Sequence, residues 1–275
     1  VMRARMDRIG SFIDALNADV KMGSYAWAVS GEKTTSGNPI LYSGPQMDFN
    51  VPSTAHEGEI RGGGFEISGM TIPGAPAILI GRTPHHAWSM QVGHAHTVDY
   101  FAEVPQTVAF HRFEYITVLN GEDVNLPVFR SSHGPIVSPM PFTDPETTDP
   151  IFAWAYGNWG KEIQSLEAFL NMGTAESIED FGKGIEKLGV SQHTTYIDRD
   201  GNIAYWMGGW DPVRQPTYNP FFPQPPDGSA EWTDARVPIP HDVNNAQGYY
   251  GGWNNKSDLF HISPPNNLWY VAGPA

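Results

Sequence analysis

Apolar residues recurring at three- and four-residue spacings mark helices along this chain, and strict alternation marks strands. Met2, Met6, Ile9, Phe12, Ile13 and Leu16 share one helical face, so the spacing predicts a helix over residues 2–16. The same period returns over Glu162 to Met172, with Ile163, Leu166, Phe169 and Leu170 as the apolar face. It returns again over Ser177 to Leu188, through Ile178, Phe181, Ile185 and Leu188. Ser177 suits the N-cap of that last helix, with Asp180 three residues on approximating a capping box, whereas Gly182 and Gly184 work against it.

Most of the remaining chain has a period of two. Ser24 to Gly44 alternates like a hairpin, with Lys33 to Asn38 as its loop and Gly37 supplying a positive φ. Short strands follow in EIRGGGFEISGM, PAILIG and HAWSMQV, then in Thr107 to Asn120, Val124 to Arg130 and Ile151 to Trp159. Thr195 to Trp210 reads as two more strands around the tight turn Asp198 to Gly201, and Pro212 to Gln247 as a long irregular excursion. This predicts an α+β fold dominated by antiparallel strands, with no internal repeat.

Composition narrows the function. A chain of 275 residues that is 40% hydrophobic, with 9 Trp, 11 Tyr and 14 Phe, has the apolar surface for a sizeable core. Thirty acidic residues against 16 basic ones, none of the latter in a run, exclude nucleic acid and anionic membrane surfaces as expected partners. The longest apolar stretch, Pro73 to Gly81, falls far short of the roughly 20 residues that cross a bilayer. The absence of cysteine removes disulfides and thiolate chemistry. Residues 1–20 lack the apolar core of a signal peptide, and a start at Val1 with an end in VAGPA predicts a fragment of a longer precursor.

The histidines His85, His86, His94 and His96 lack metal-site spacing and are expected to be partly exposed strand and turn residues. No serine stands in a Gly-x-Ser-x-Gly frame, which disfavours a nucleophile elbow. Gly62-Gly63-Gly64 is not followed by the Lys-Ser or Lys-Thr of a phosphate loop and reads as a bulge or close backbone approach. A Gly23-Ser24 step directly before a strand is, by itself, an ordinary turn.

The residues after that step add a resemblance. Ser24-Tyr25-Ala26-Trp27-Ala28-Val29, SGEKTTSGNPILYSGPQM, GGGFEISGMTIPGAPAILIGRTPHHAWSMQVGHAHTVDYFAE, YIDRDGNIAYWMGGWDPVRQ and YYGGWNNKSDLF resemble, in order and spacing, the start of the β-chain in the penicillin acylase family of N-terminal nucleophile hydrolases. The resemblance covers nearly all of Ser24 to Phe260 and implies an αββα sandwich of stacked, mostly antiparallel sheets. It further implies that residues 1–23 end an upstream chain or spacer peptide and that residues 24–275 begin a catalytic chain whose other parts are missing. The missing upstream and downstream parts are then its expected partners, together with a small N-acyl substrate. Export to the periplasm or beyond the cell is the implied location.

Such enzymes cut their own precursor before a serine. A free α-amino group, with a pKa of about 7.7 to 8.0, then serves as base for the hydroxyl of the same residue. By resemblance Ser24 is the nucleophile, Asn254 the side-chain donor and Val92 the backbone donor of the oxyanion hole, and Gln46 orients the scissile amide. Met47 and Ile80 fall on acyl-pocket positions. The chemistry requires no cofactor. A structural calcium is implied at Asp99, Asp258 and the carbonyls of Val98 and Pro220, although His96 stands where an aspartate is expected. The implied function is hydrolysis of the amide of an acylated small molecule through an acyl-enzyme. The alternative is a catalytically inactive member kept as a binding or interaction module.

Overall fold

The computed structural model describes residues 24–47, 51–93, 95–138, 150–252 and 254, so the helix predicted over residues 2–16 lies outside them. Two stacked sheets organise the described residues. The smaller has β1 (Tyr25–Val29) at its centre, between β2 (Ile40–Gly44) and β14 (Tyr249–Gly252). The larger runs β13 (His241–Val243), β12 (Ile203–Gly208), β11 (Gln192–Asp198), β6 (His86–Val92), β5 (Ile80–Arg82), β4 (Phe65–Thr71), β3 (His56–Gly62). Two antiparallel ribbons, β7 (Val98–Glu103) with β10 (Ile151–Tyr156) and β8 (Ala109–Ile116) with β9 (Val124–Arg130), complete the strands. Helices α1 (Glu162–Thr174) and α2 (Ile178–Glu186) join β10 to β11.

Alternation along β6 assigns the faces. Trp88 and Met90 point to the helices, where they pack with Met172, Phe181, Ile185 and Tyr196. Ser89 and Gln91 point to the smaller sheet, as the hydrogen bond between the Ser89 and Ser43 hydroxyls at 2.7 Å requires. The smaller sheet turns Ala26 and Ala28, both fully buried, towards the larger one, and these short side chains let the sheets approach closely. Its outer face carries Tyr25, Tyr42 and Trp27 in a stacked row. Helices, large sheet and small sheet are three successive layers of the sandwich that the sequence predicts.

Several local expectations change. In α1 the buried side is Ser165, Ala168, Met172 and Gly173, and Ile163 is 79% exposed. Close packing shapes this face: a Cβ on Gly184 of α2 would lie 2.9 Å from Met172 Cγ, so the glycine lets α2 approach Met172 and Ala168 of α1. The triple glycine is neither bulge nor close approach. Gly62 pairs with Phe65, and Gly63 and Gly64, with φ of 60° and 90° and open space at both Cβ positions, form a two-residue hairpin turn. PAILIG contributes only its end to a strand, β5. Strand β13 lies inside the stretch expected to be irregular, and β7 is not among the expected strands, whereas the Ser177 cap forms as predicted, its hydroxyl accepting the Asp180 N–H at 3.1 Å.

His86 and His96 are buried rather than partly exposed, while His94 lies outside the described residues. His86 is enclosed by Trp88, Phe181 and Tyr196. Its Nε2–H donates to the Met172 carbonyl at 2.9 Å and its Nδ1 accepts from the Thr83 hydroxyl at 3.2 Å, which fixes a neutral tautomer. Burial, reinforced by His85, outweighs the Met172 carbonyl and lowers its pKa from 6.5 to about 4. The unfolded chain therefore binds a proton that the folded chain refuses between those two values. Stability is intact above pH 6.5 and falls by about 3 kcal/mol as pH drops to 4. Urea unfolding of wild type and His86→Gln, compared at about pH 7 and about pH 4.5, checks this. The variant is expected to be less stable at neutral pH but to lose less on acidification.

Candidate active site

The pairing of β1 brings distant residues to one end of the small sheet. Ala26 pairs with Gly252 and Tyr25 with Gly44, so one step further Ser24 faces Asn254 on one side and Pro45-Gln46 on the other. Ser24 N–H donates to Asn254 Oδ1 at 2.6 Å, and Gln46 N–H donates to Ser24 Oγ at 3.3 Å. Because the Ser24 nitrogen donates here, the Asn254 atom facing it must be the oxygen, which fixes the amide's orientation. Asn254 is 5% exposed and holds a left-handed φ of 52°, a conformation that asparagine tolerates better than most residues.

The large sheet ends at the same place. Gly93 N–H donates to the Ser191 carbonyl at 3.0 Å, which makes Val92 and Gln192 the next, non-hydrogen-bonded pair. The N–H and carbonyl of Val92 therefore turn away from β11 and towards the site. That carbonyl accepts Asn254 Nδ2–H at 2.8 Å. From the preceding position Gln91 reaches to the small sheet, where its Nε2 donates to the carbonyls of Ser24 at 2.8 Å and Gly252 at 3.0 Å.

One cavity of about 310 Å³ joins Ser24, Gln46, Val92 and Asn254 to an apolar wall. Met47 and Ile80 belong to that wall, and so do Met70, Met90 and Phe169, which the sequence reading did not single out. Alternation along β6 would have found Met90, since it shares the face of Val92. Phe169 sits on a helix with no sequence link to the site. No charged side chain among the described residues lines the cavity. A charged proton acceptor for the Ser24 hydroxyl is therefore absent from the described side chains there.

The positions implied for calcium form a separate cluster. Asp99, 2% exposed, receives Arg214 Nε at 2.7 Å and Trp232 Nε1 at 2.6 Å on Oδ2. Its Oδ1 lies 3.2 Å from His96 Nε2. Arg214 also donates to the His96 carbonyl and, at 2.9 Å, to buried Asp211. Phe221 meets His96 edge-on, bringing Pro220 nearby, whereas Asp258 lies outside the described residues. Burial raises the Asp99 pKa, but His96, Arg214 and Trp232 outweigh it and hold the carboxyl below its ordinary range. Calcium takes six to eight oxygen ligands. Among the described residues, Asp99 has a guanidinium on one oxygen and an imidazole near the other in place of the oxygen ligands that ion takes.

Comparisons with known proteins agree with the geometry. The family model for penicillin amidase matches residues 2–272. Penicillin G acylase of Escherichia coli is 28% identical over 260 residues, 86% of this chain and 30% of that protein. An acyl-homoserine lactone acylase, QuiP, of Pseudomonas syringae pv. syringae is 24% identical over 271 residues, 92% of this chain and 32% of that protein. The chain thus spans about a third of the length of these curated relatives. A thermostable penicillin G acylase from Alcaligenes faecalis superimposes with a TM-score of 0.77 at 26% identity, over 87% of this chain and 45% of that one. The match extends over far more than half of the sequence, and its fold is that of the N-terminal nucleophile hydrolases: this chain belongs to the penicillin amidase family.

Proposed function

We propose that the full protein hydrolyses the amide bond of an N-acylated small molecule, with Ser24 as nucleophile after cleavage of Gly23-Ser24. The observation that carries this reading is the convergence of Ser24, Gln46, Val92 and Asn254 on an apolar cavity with no charged lining residue among those described. Cleavage would turn the Ser24 nitrogen into an amine that titrates near neutrality and takes the hydroxyl proton as Oγ attacks the acyl carbonyl. Negative charge then develops on the carbonyl oxygen, and the Val92 N–H and Asn254 Nδ2–H are its donors. Gln46, held beside Ser24 Oγ, orients the scissile amide. The amine takes the proton to the leaving nitrogen, and water resolves the ester on Ser24.

The cavity is at the small end of the roughly 300 to 1,000 Å³ typical of small-molecule sites, which suits one acyl group. Its methionines Met47, Met70 and Met90 adapt their shape, and together with Ile80 and Phe169 they favour an apolar alkyl or aryl acyl chain over a charged one. Relatives named for penicillin G and for acyl-homoserine lactones support that substrate class. We infer further that Arg214, rather than a metal ion, compensates Asp99. Export from the cytoplasm is read from the family alone.

Five outcomes test the two readings. Wild-type full-length protein is expected to yield a chain beginning at Ser24 by mass spectrometry and to release a burst of product from a chromogenic acyl amide. Ser24→Ala is expected to remain uncut and inactive; an uncut wild type without a burst would instead favour the inactive binding module. Asn254→Ala, assayed on processed enzyme, is expected to lower kcat about 100- to 1,000-fold, as loss of one oxyanion donor does. Arg214→Met is expected to cost about 3 to 5 kcal/mol in urea unfolding, since it leaves Asp99 and Asp211 buried without their cation. Chelation of calcium is expected to leave the wild-type melting temperature unchanged.

A further inference from the structure

We propose that Gln91 is a positioning residue that locks the nucleophile and the oxyanion donors into one register, an inference that rests on the acylase reading above. Its side chain is 3% exposed and reaches from the large sheet into the small one. There its one amide nitrogen donates to two carbonyls on neighbouring strands, Ser24 at 2.8 Å and Gly252 at 3.0 Å. The first belongs to the nucleophile itself. The second lies two residues before Asn254.

The position of these bonds gives them their role. Ala26 of β1 pairs with Gly252 of β14. The bond from Ser24 N–H to Asn254 Oδ1 also joins the two strands, and its strength changes when the nitrogen becomes an amine. Gln91 bridges the same two strands from outside, through carbonyls that the cleavage does not alter. It also immediately precedes Val92, whose carbonyl holds Asn254 Nδ2 and whose N–H faces the site. One residue of β6 thus links nucleophile, side-chain donor and backbone donor, whose mutual placement governs the rate of acyl transfer.

Leucine at this position keeps the volume but donates nothing. Glutamate keeps the shape but sets a carboxylate against two carbonyl oxygens, a contact relieved only when the acid is protonated and can donate one bond. Full-length Gln91→Leu and Gln91→Glu are to be assayed on a chromogenic acyl amide, with active sites counted from the burst. The expected result is a kcat per titrated Ser24 lowered about 10- to 100-fold with KM within about threefold of wild type. For Gln91→Glu, the ratio of kcat to that of wild type is expected to rise as pH falls. A merely structural role would lower the melting temperature and the titrated fraction without moving kcat per site. Unchanged kcat per site in both variants, a loss confined to KM, or a ratio for Gln91→Glu that is flat with pH would overturn the proposal. The last criterion stands even if Gln91→Leu does not fold. If Ser24→Ala retains turnover, the acylase reading itself fails and Gln91 falls with it.

Discussion

The antiparallel register of β1 with β2 and β14 is the constraint from which the site follows. Once Ala26 pairs with Gly252 and Tyr25 with Gly44, Ser24 has Asn254 on one flank and Gln46 on the other, with no freedom to choose other neighbours. A slip of one residue would turn Ala26 and Ala28 outward and drive Tyr25 and Trp27 into a gap between sheets that alanine fills. The energetics of the core and the surroundings of Ser24 are therefore enforced by the same pairing. Gln91, from the large sheet, ties the carbonyls of Ser24 and Gly252 together.

The two faces of β6 divide the work. One face, through Trp88 and Met90, builds the helix-side core and the apolar wall of the cavity. The other, through Ser89 and Gln91, ties the sheets together with polar side chains that find partners only across the interface. Val92 lies in a non-hydrogen-bonded pair with Gln192, so its peptide group turns away from β11. Polar backbone groups can therefore face an uncharged cavity there while the ladder to β11 continues through Gly93 and Ser191.

Buried ionisable groups elsewhere are settled by different means. His86, surrounded by aromatic rings, gives up its charge. Asp99 keeps its charge because Arg214 and Trp232 converge on one oxygen and His96 stands near the other. Arg214 in turn bridges Asp99 and Asp211, so one cation serves two buried carboxylates. Neither residue lines the cavity: His86 is kept neutral by burial, and Asp99 is kept charged by compensation.

The sequence by itself determined the elements and their class. Alternation located β1, β2, β6 and β9, the three-to-four period located both described helices, and Ser177 announced its cap. The resemblance to the penicillin acylase family nominated Ser24, Gln46, Val92 and Asn254 as candidates, and the fold brings them together. What only the tertiary structure decided is which faces meet. Ile163 is exposed, and Ser165 is buried because its hydroxyl, beside Asn158, accepts at 2.9 Å the N–H of Gly189, a partner 24 residues away. Likewise Phe169, Met70 and Gln91 entered the site through partners up to 161 positions away. Local patterns fix the direction of each side chain relative to its own strand or helix, but what lies in that direction depends on long-range pairing, which no local window contains.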